Sequence, residues 1–151
     1  MADRAEARPL ATLVVEDSEE DTLLLLRELH RGGFAPDHVR VDTPEAMLEA
    51  LQRRRWDVVF TDYTMPRFSG VDALHLLRAR GYDMPVIFVS GTFGEDTAVD
   101  AMRRGANDYI MKGNMKRLLP ALERELVDAR TRRERNQEGK RRKEMEARYG
   151  H

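Results

Sequence analysis

Short runs of apolar, largely β-branched residues alternate along the chain with stretches of helical periodicity. The first run is Leu10-Ala-Thr-Leu-Val-Val15. A helical stretch, Glu19 to Arg31, comes next, with acids in its first turn and Gly32-Gly33 as a stop. A weaker strand pattern spans Asp37 to Val41. Thr43-Pro44 then reads as an N-cap with proline at the first helical position, opening a helix that runs to about Arg54. The cycle repeats with strands at Asp57–Thr61, Pro85–Val89 and Asn107–Met111. Helices are predicted over Val71–Arg80 and Glu95–Arg104, and a last one opens at Asn114.

Five strand–helix units in strict alternation predict a mostly parallel sheet with helices on both faces. The runs 13–15, 58–60 and 86–89 are apolar throughout, as strands covered on both sides must be. Right-handed crossovers leave few topologies. The expectation is an α/β flavodoxin-like, doubly wound, five-stranded parallel sheet of order 2-1-3-4-5. Residues 1–9 read as an N-terminal extension, 10–129 as the domain, and 130–151 as a charged, helical extension or linker. In the last helix Leu119, Leu122, Leu126 and Ala129 form one apolar stripe, and past Ala129 the stripe ends. Glu138–Arg142 and Glu144–Arg148 are favourable i,i+4 pairs, so the tail is predicted to continue as a solvated helix across Gly139.

Charge sharpens this division. The net charge is −1, yet residues 130–151 hold nine Lys/Arg against four Asp/Glu, leaving −6 on the rest. No apolar run reaches the length of a membrane span, and the N-terminus lacks the apolar core of a secretory signal. The 151 residues include no cysteine, which excludes thiolate nucleophiles and Cys-ligated zinc and fits a cytoplasmic setting. His30, His38 and His75 show no ligand spacing and are assigned to the surface. Trp56 reads as a packing residue. One aromatic in the tail, Tyr149, argues against nucleic acid as a partner.

The candidate chemistry sits where the strands end. Glu16 and Asp17 come directly after the first strand, Asp62 after the third, Ser90 after the fourth and Lys112 after the fifth. In a doubly wound sheet these positions share the carboxyl edge, and strands one and three flank the switch point where a crevice opens. Singly, each has an ordinary explanation: a turn former, an acidic helix start, a solvated lysine. Together they place three carboxylates, a hydroxyl and an ammonium in one pocket. Clustered carboxylates need a cation, and an all-oxygen donor set favours a hard one such as Mg²⁺. A carboxylate can attack phosphorus to give an acyl phosphate, with metal and lysine neutralising the transferred oxygens.

These segments resemble the receiver domains of response regulators. The matching pieces are Val14-Val-Glu-Asp17, Thr61-Asp-Tyr-Thr-Met-Pro66 with Gly70, Val86-Ile-Phe-Val-Ser-Gly91 and Gly105-Ala-Asn-Asp-Tyr-Ile-Met-Lys112. The resemblance, from about Leu10 to Leu126, implies a two-component phosphorelay switch. It implies that Asp62 accepts a phosphoryl group from a histidine kinase or phosphotransfer protein. Mg²⁺ would be held by Glu16, Asp17, Asp62 and the backbone carbonyl of Thr64. Ser90 and Lys112 would contact the phosphoryl group. Tyr109 would turn from exposed to buried as the Gly91–Gly94 loop moves inward. The altered face would be the fourth helix, fifth strand and last helix, where a homodimer or kinase contact would form. Such a domain catalyses only its own phosphorylation and dephosphorylation. One departure is Gly113, where the family carries proline, so the family's cis peptide is not expected. The competing readings are a phosphorylation-independent interaction module of the same fold, the receiver part of a larger sensor kinase, and an aspartyl-phosphate hydrolase. The last is disfavoured because Thr64 stands where such enzymes carry a second aspartate.

Overall fold

A computed structural model describes residues 6–91 and 95–149; residues 92–94, within the Gly91–Gly94 loop, lie outside that description. The elements are β1 (Arg8–Val15), α1 (Glu19–Arg31), β2 (Phe34–Val41), α2 (Pro44–Arg53), β3 (Val58–Thr61), α3 (Gly70–Ala79), β4 (Val86–Ser90), α4 (Glu95–Arg103), β5 (Asp108–Met111) and α5 (Leu118–Tyr149). All strand pairs are parallel, in the order β2-β1-β3-β4-β5. The expected fold class is therefore the observed one.

Strand alternation splits the core into two layers. Val14, Phe60, Ile87 and Ile110 face α1 and α5, packing with Leu25, Leu29, Leu118 and Leu122. Leu13, Val59, Phe88 and Tyr109 face the other way, toward Met47, Leu51, Leu74 and Leu77 of α2 and α3. Each large aliphatic side chain so buried contributes about 1.5–3 kcal/mol relative to exposure. Ser18, Thr43 and Ser69 cap α1, α2 and α3, each hydroxyl accepting from a backbone N–H at 3.1 Å. Each cap is worth about 1 kcal/mol. Gly33, at φ 86°, takes the left-handed conformation that ends α1.

Three details depart from the expectations. β1 and β2 begin earlier, at Arg8 and Phe34, because they pair along their whole length. Asn114 does not cap the last helix; a 3₁₀ turn, Met115–Arg117, precedes α5. Pro120 then falls in the first turn of α5, where its missing N–H costs nothing. The docked stripe of α5 is also rotated. Leu118, Ala121, Leu122 and Ala129 are buried, whereas Leu119 and Leu126 flank them. Glu125 lies within the buried face, accepting from Asn107 Nδ2 at 3.1 Å. Beyond Ala129 the helix continues without a break to Tyr149 through Gly139. His30, His38 and His75 are exposed. Trp56 packs as expected and is buried rather than partly buried, its Nε1 donating to the Ala50 carbonyl at 3.0 Å.

Candidate functional site

β1 and β3 end side by side, and their register fixes the residues just past them. Glu16 N–H donates to the Val41 carbonyl and Asp62 N–H to the Val15 carbonyl, both at 3.0 Å. This stitches the first residue past each strand to its neighbour. Lys112 is placed the same way, its N–H donating to Ser90 O at 2.9 Å. Glu16, Asp62, Ser90 and Lys112 are thereby held at one sheet edge by backbone pairing.

Lys112 Nζ lies at the centre of the polar cluster. It donates to Glu16 Oε1 at 2.9 Å, Asp62 Oδ2 at 3.1 Å and Asp21 Oδ2 at 2.6 Å. Asp21, in the first turn of α1, was not among the sequence candidates. Its only advance signal was its position in an acidic helix start beside Glu16-Asp17. Glu16 is 5% exposed, and its Oε2 accepts from the Ser18 N–H at 3.2 Å. The adjoining cleft, about 240 Å³, has apolar walls that include Leu25, Phe60, Val89 and Met115. Burial there pushes the Glu16 carboxyl up to about 7; the hydrogen bond from Lys112 opposes this and the Asp62 charge adds to it. For Lys112, burial disfavours the cation, but the bonds to Asp21, Glu16 and Asp62 outweigh it and hold its pKa above that of a free lysine. Burial thus dominates for Glu16, and the surplus of carboxylates around one ammonium dominates for Lys112.

Glu16, Asp17 and Asp62 each present an oxygen within 4.8 Å of the others. Asp17 is exposed on the rim, Glu16 and Asp62 are buried. With oxygen donors alone and a charge excess, this group fits a hard divalent cation. The loop leaving Asp62 is tightly drawn. Gly70 N–H donates to the Tyr63 carbonyl at 3.0 Å, and a Cβ on Gly70 would lie 2.2 Å from the Asp62 carbonyl oxygen. Only glycine permits that approach. Gly70→Ala is expected to displace the Asp62–Thr64 backbone and to cost about 1–3 kcal/mol. Denaturant unfolding measures the loss, and an unchanged midpoint would show that the loop yields freely.

Ser90 is fully buried at the end of β4, and Thr64 is exposed in the β3–α3 loop. Tyr109, expected to turn from exposed to buried, is buried in this arrangement, 5% exposed, stacked on Phe88 with centroids 6.1 Å apart and tilted against Tyr63 at 6.3 Å. Packing on the α4 side of β5 favours this inward position, because the Phe88 and Tyr63 rings supply an aromatic wall. Tyr63 is itself anchored, its Oη donating to Asp100 Oδ2 at 2.8 Å. Among the described residues no peptide bond is cis, including that before Gly113.

The family model for the response regulator receiver domain matches residues 12–123. The chain belongs to the response regulator receiver family. It is 39% identical over 106 residues to the response regulator protein FleR of Pseudomonas aeruginosa, covering 66% of this chain and 21% of FleR. It is 35% identical over 87 residues to the regulatory protein LuxO of Vibrio cholerae, covering 56% of this chain and 19% of LuxO. This receiver thus spans about a fifth of the length of these relatives. Among solved structures, NtrX from Brucella abortus superposes with a TM-score of 0.74 at 29% identity, over 85% of this chain and 29% of NtrX. A response regulator receiver domain protein from Clostridium thermocellum gives 0.69 at 24% identity, over 82% of this chain and 98% of its own, which supports the fold alone. The receiver is a domain of two-component systems. No described helix is long and apolar enough to cross a membrane.

Proposed function

We propose that Asp62 is the phosphoacceptor of this receiver. The observation that carries the reading is the Lys112 ammonium, 3.1 Å from Asp62 Oδ2 and bonded at once to Glu16 on the neighbouring strand end. A carboxylate oxygen of Asp62 attacks phosphorus, and the phosphorus–nitrogen bond of a phosphohistidine donor breaks. The electron pair leaves on the imidazole nitrogen, which takes up a proton. Glu16, Asp17, Asp62 and the backbone carbonyl of Thr64 would hold Mg²⁺. Bound there, the ion supplies charge neutralisation at the phosphoryl oxygens. Lys112 neutralises a further oxygen, and the Ser90 hydroxyl donates to another. The chain catalyses these steps on itself only, with a histidine kinase or phosphotransfer protein as donor, in the cytoplasm. Output through α4, β5 and α5, to a second copy or a kinase, results from a rearrangement around Ser90. Since Tyr109 is packed inward, its part is to hold that face in one of two arrangements.

The test is intact mass after incubation with acetyl phosphate and Mg²⁺: one phosphate should be gained, and chelation should abolish the gain. Asp17→Asn gives a separate check. Asp17 is exposed and helps crowd negative charge, so the metal-free variant should be at least as stable as wild type while gaining less melting temperature from added Mg²⁺. A large loss of metal-free stability would assign Asp17 to structure instead.

A further inference from the structure

The opposite end of the sheet carries a second concavity. The segment entering β3, the α3–β4 connection and the second half of α5 enclose a groove of about 840 Å³, the scale of a nucleotide-sized ligand. Its lining includes Arg54, Arg55, Arg130, Arg132 and Arg133. Three acids, Asp57, Asp83 and Glu134, also line it, so its arginines outnumber its carboxylates by five to three; Asp57 is committed elsewhere, its Oδ2 accepting from the Ala11 N–H at 2.8 Å. Arg54 pairs with Asp37 at 2.5 Å, and among the described residues Arg132 reaches only a backbone oxygen, that of Asp83, at 3.4 Å. Arg55, Arg130 and Arg133 make no ion pair among the described residues.

Arg78 does not line the groove, but it holds two residues that do, Tyr82 and Met84. Arg78, partly buried, donates to the carbonyls of Tyr82 and Met84 at 3.0 Å and to Asn107 Oδ1 at 3.1 Å. All three hydrogen-bond partners are neutral, so these bonds fix the α3–β4 connection, while the Asp83 carboxylate, which lines the groove, opposes the guanidinium charge. In a chain whose body is acidic, this groove therefore has a lining of net positive charge, five arginines against three acids. Guanidinium forks match phosphate oxygens two at a time.

We propose that this groove binds a small polyanion bearing two or more linked phosphates, and that occupancy fastens the tail of α5 to the body of the domain. Arg130 and Arg133 approach from the helix and Arg55 from the segment before β3, so an anion between them replaces repulsion with bridging. The site is at the other end of the sheet from Asp62 and is independent of phosphoacceptor chemistry.

Trp56 lines the groove and is the chain's single tryptophan, so its fluorescence reports on occupancy. The full chain, in metal-free buffer at fixed ionic strength, is titrated with tripolyphosphate, with a nucleoside triphosphate, with the corresponding nucleoside and with sulfate. Saturable one-to-one binding of tripolyphosphate, mirrored in Trp56 fluorescence, is expected. It should weaken by about tenfold or more in Arg55→Glu/Arg133→Glu, and not in Arg103→Glu, a control away from the groove. Equal affinity for both triphosphates identifies the phosphate chain as the recognised group; much tighter nucleotide binding shows that the base adds contacts. Ligand should also slow tryptic cleavage of the tail in wild type only. Absence of saturable binding, equal binding of sulfate, or full affinity in the double variant would overturn the site. Unchanged tail cleavage would overturn the fastening.

Discussion

Asp62→Asn protein, treated with acetyl phosphate and Mg²⁺, is expected to gain no phosphate under conditions in which wild type gains one. The amide has no anionic oxygen to attack phosphorus, so the effect is a loss of reaction rather than a reduced rate. The fold should survive, because Asp62 N–H keeps its bond to Val15 O and the substitution preserves side-chain shape. Removing one of several crowded carboxylates also relieves repulsion. The decisive measurement is intact mass together with a hydroxylamine trap for the acyl phosphate. A phosphate that persists in the variant would move the acceptor to another side chain and dismiss the proposal for Asp62.

Lys112→Met is the second large effect, and its sign depends on the metal. Nζ is the cation shared by Glu16, Asp21 and Asp62, so its removal leaves three carboxylates facing one another. In metal-free buffer the variant should lose about 2 kcal/mol, below the range for a fully buried pair because Lys112 and Asp21 keep some solvent. The loss should grow with pH. Glu16 already titrates near 7, above its ordinary value, so its neutral form favours the folded state and that contribution is lost as pH rises through 7. Without the lysine hydrogen bond the carboxyl is pushed higher still. Mg²⁺ should then restore more stability to the variant than to wild type, since it no longer competes with an ammonium for the same oxygens. Phosphorylation should nonetheless fall, because one partner of the phosphoryl oxygens is gone. Urea unfolding at pH 6 and pH 8, with and without Mg²⁺, checks the stabilities. A variant that is equally stable at both pH values would show that Lys112 does not compensate the cluster.

Much of this site is legible in the sequence alone. A polar residue immediately after a buried apolar strand has a fixed address in a parallel sheet, so the pattern by itself brings Glu16, Asp62, Ser90 and Lys112 to one edge. Asp21 is not legible, because no strand end points to it. It joins through the facing of the first turn of α1, and an acid there is equally well explained by the helix dipole. Tyr109 falls on β5 as the pattern places it, but the direction of its ring is not legible, since an aromatic at a sheet edge can turn either way until its neighbours are known. Phe88 and Tyr63 decide it.

The same division holds for the whole molecule. Periodicity, glycine stops and cap residues determined the element order, the parallel sheet and the two-sided core, because each is a local consequence of which faces must leave water. Tertiary structure alone decided what distant segments share. It rotated α5 so that Glu125 is buried against Asn107, and it placed Gly70 against the Asp62 carbonyl, where no Cβ fits. It also joined Arg55 to Arg133 across one groove. Burial and close approach are properties of pairs of segments, and a linear pattern carries no record of the distance between them.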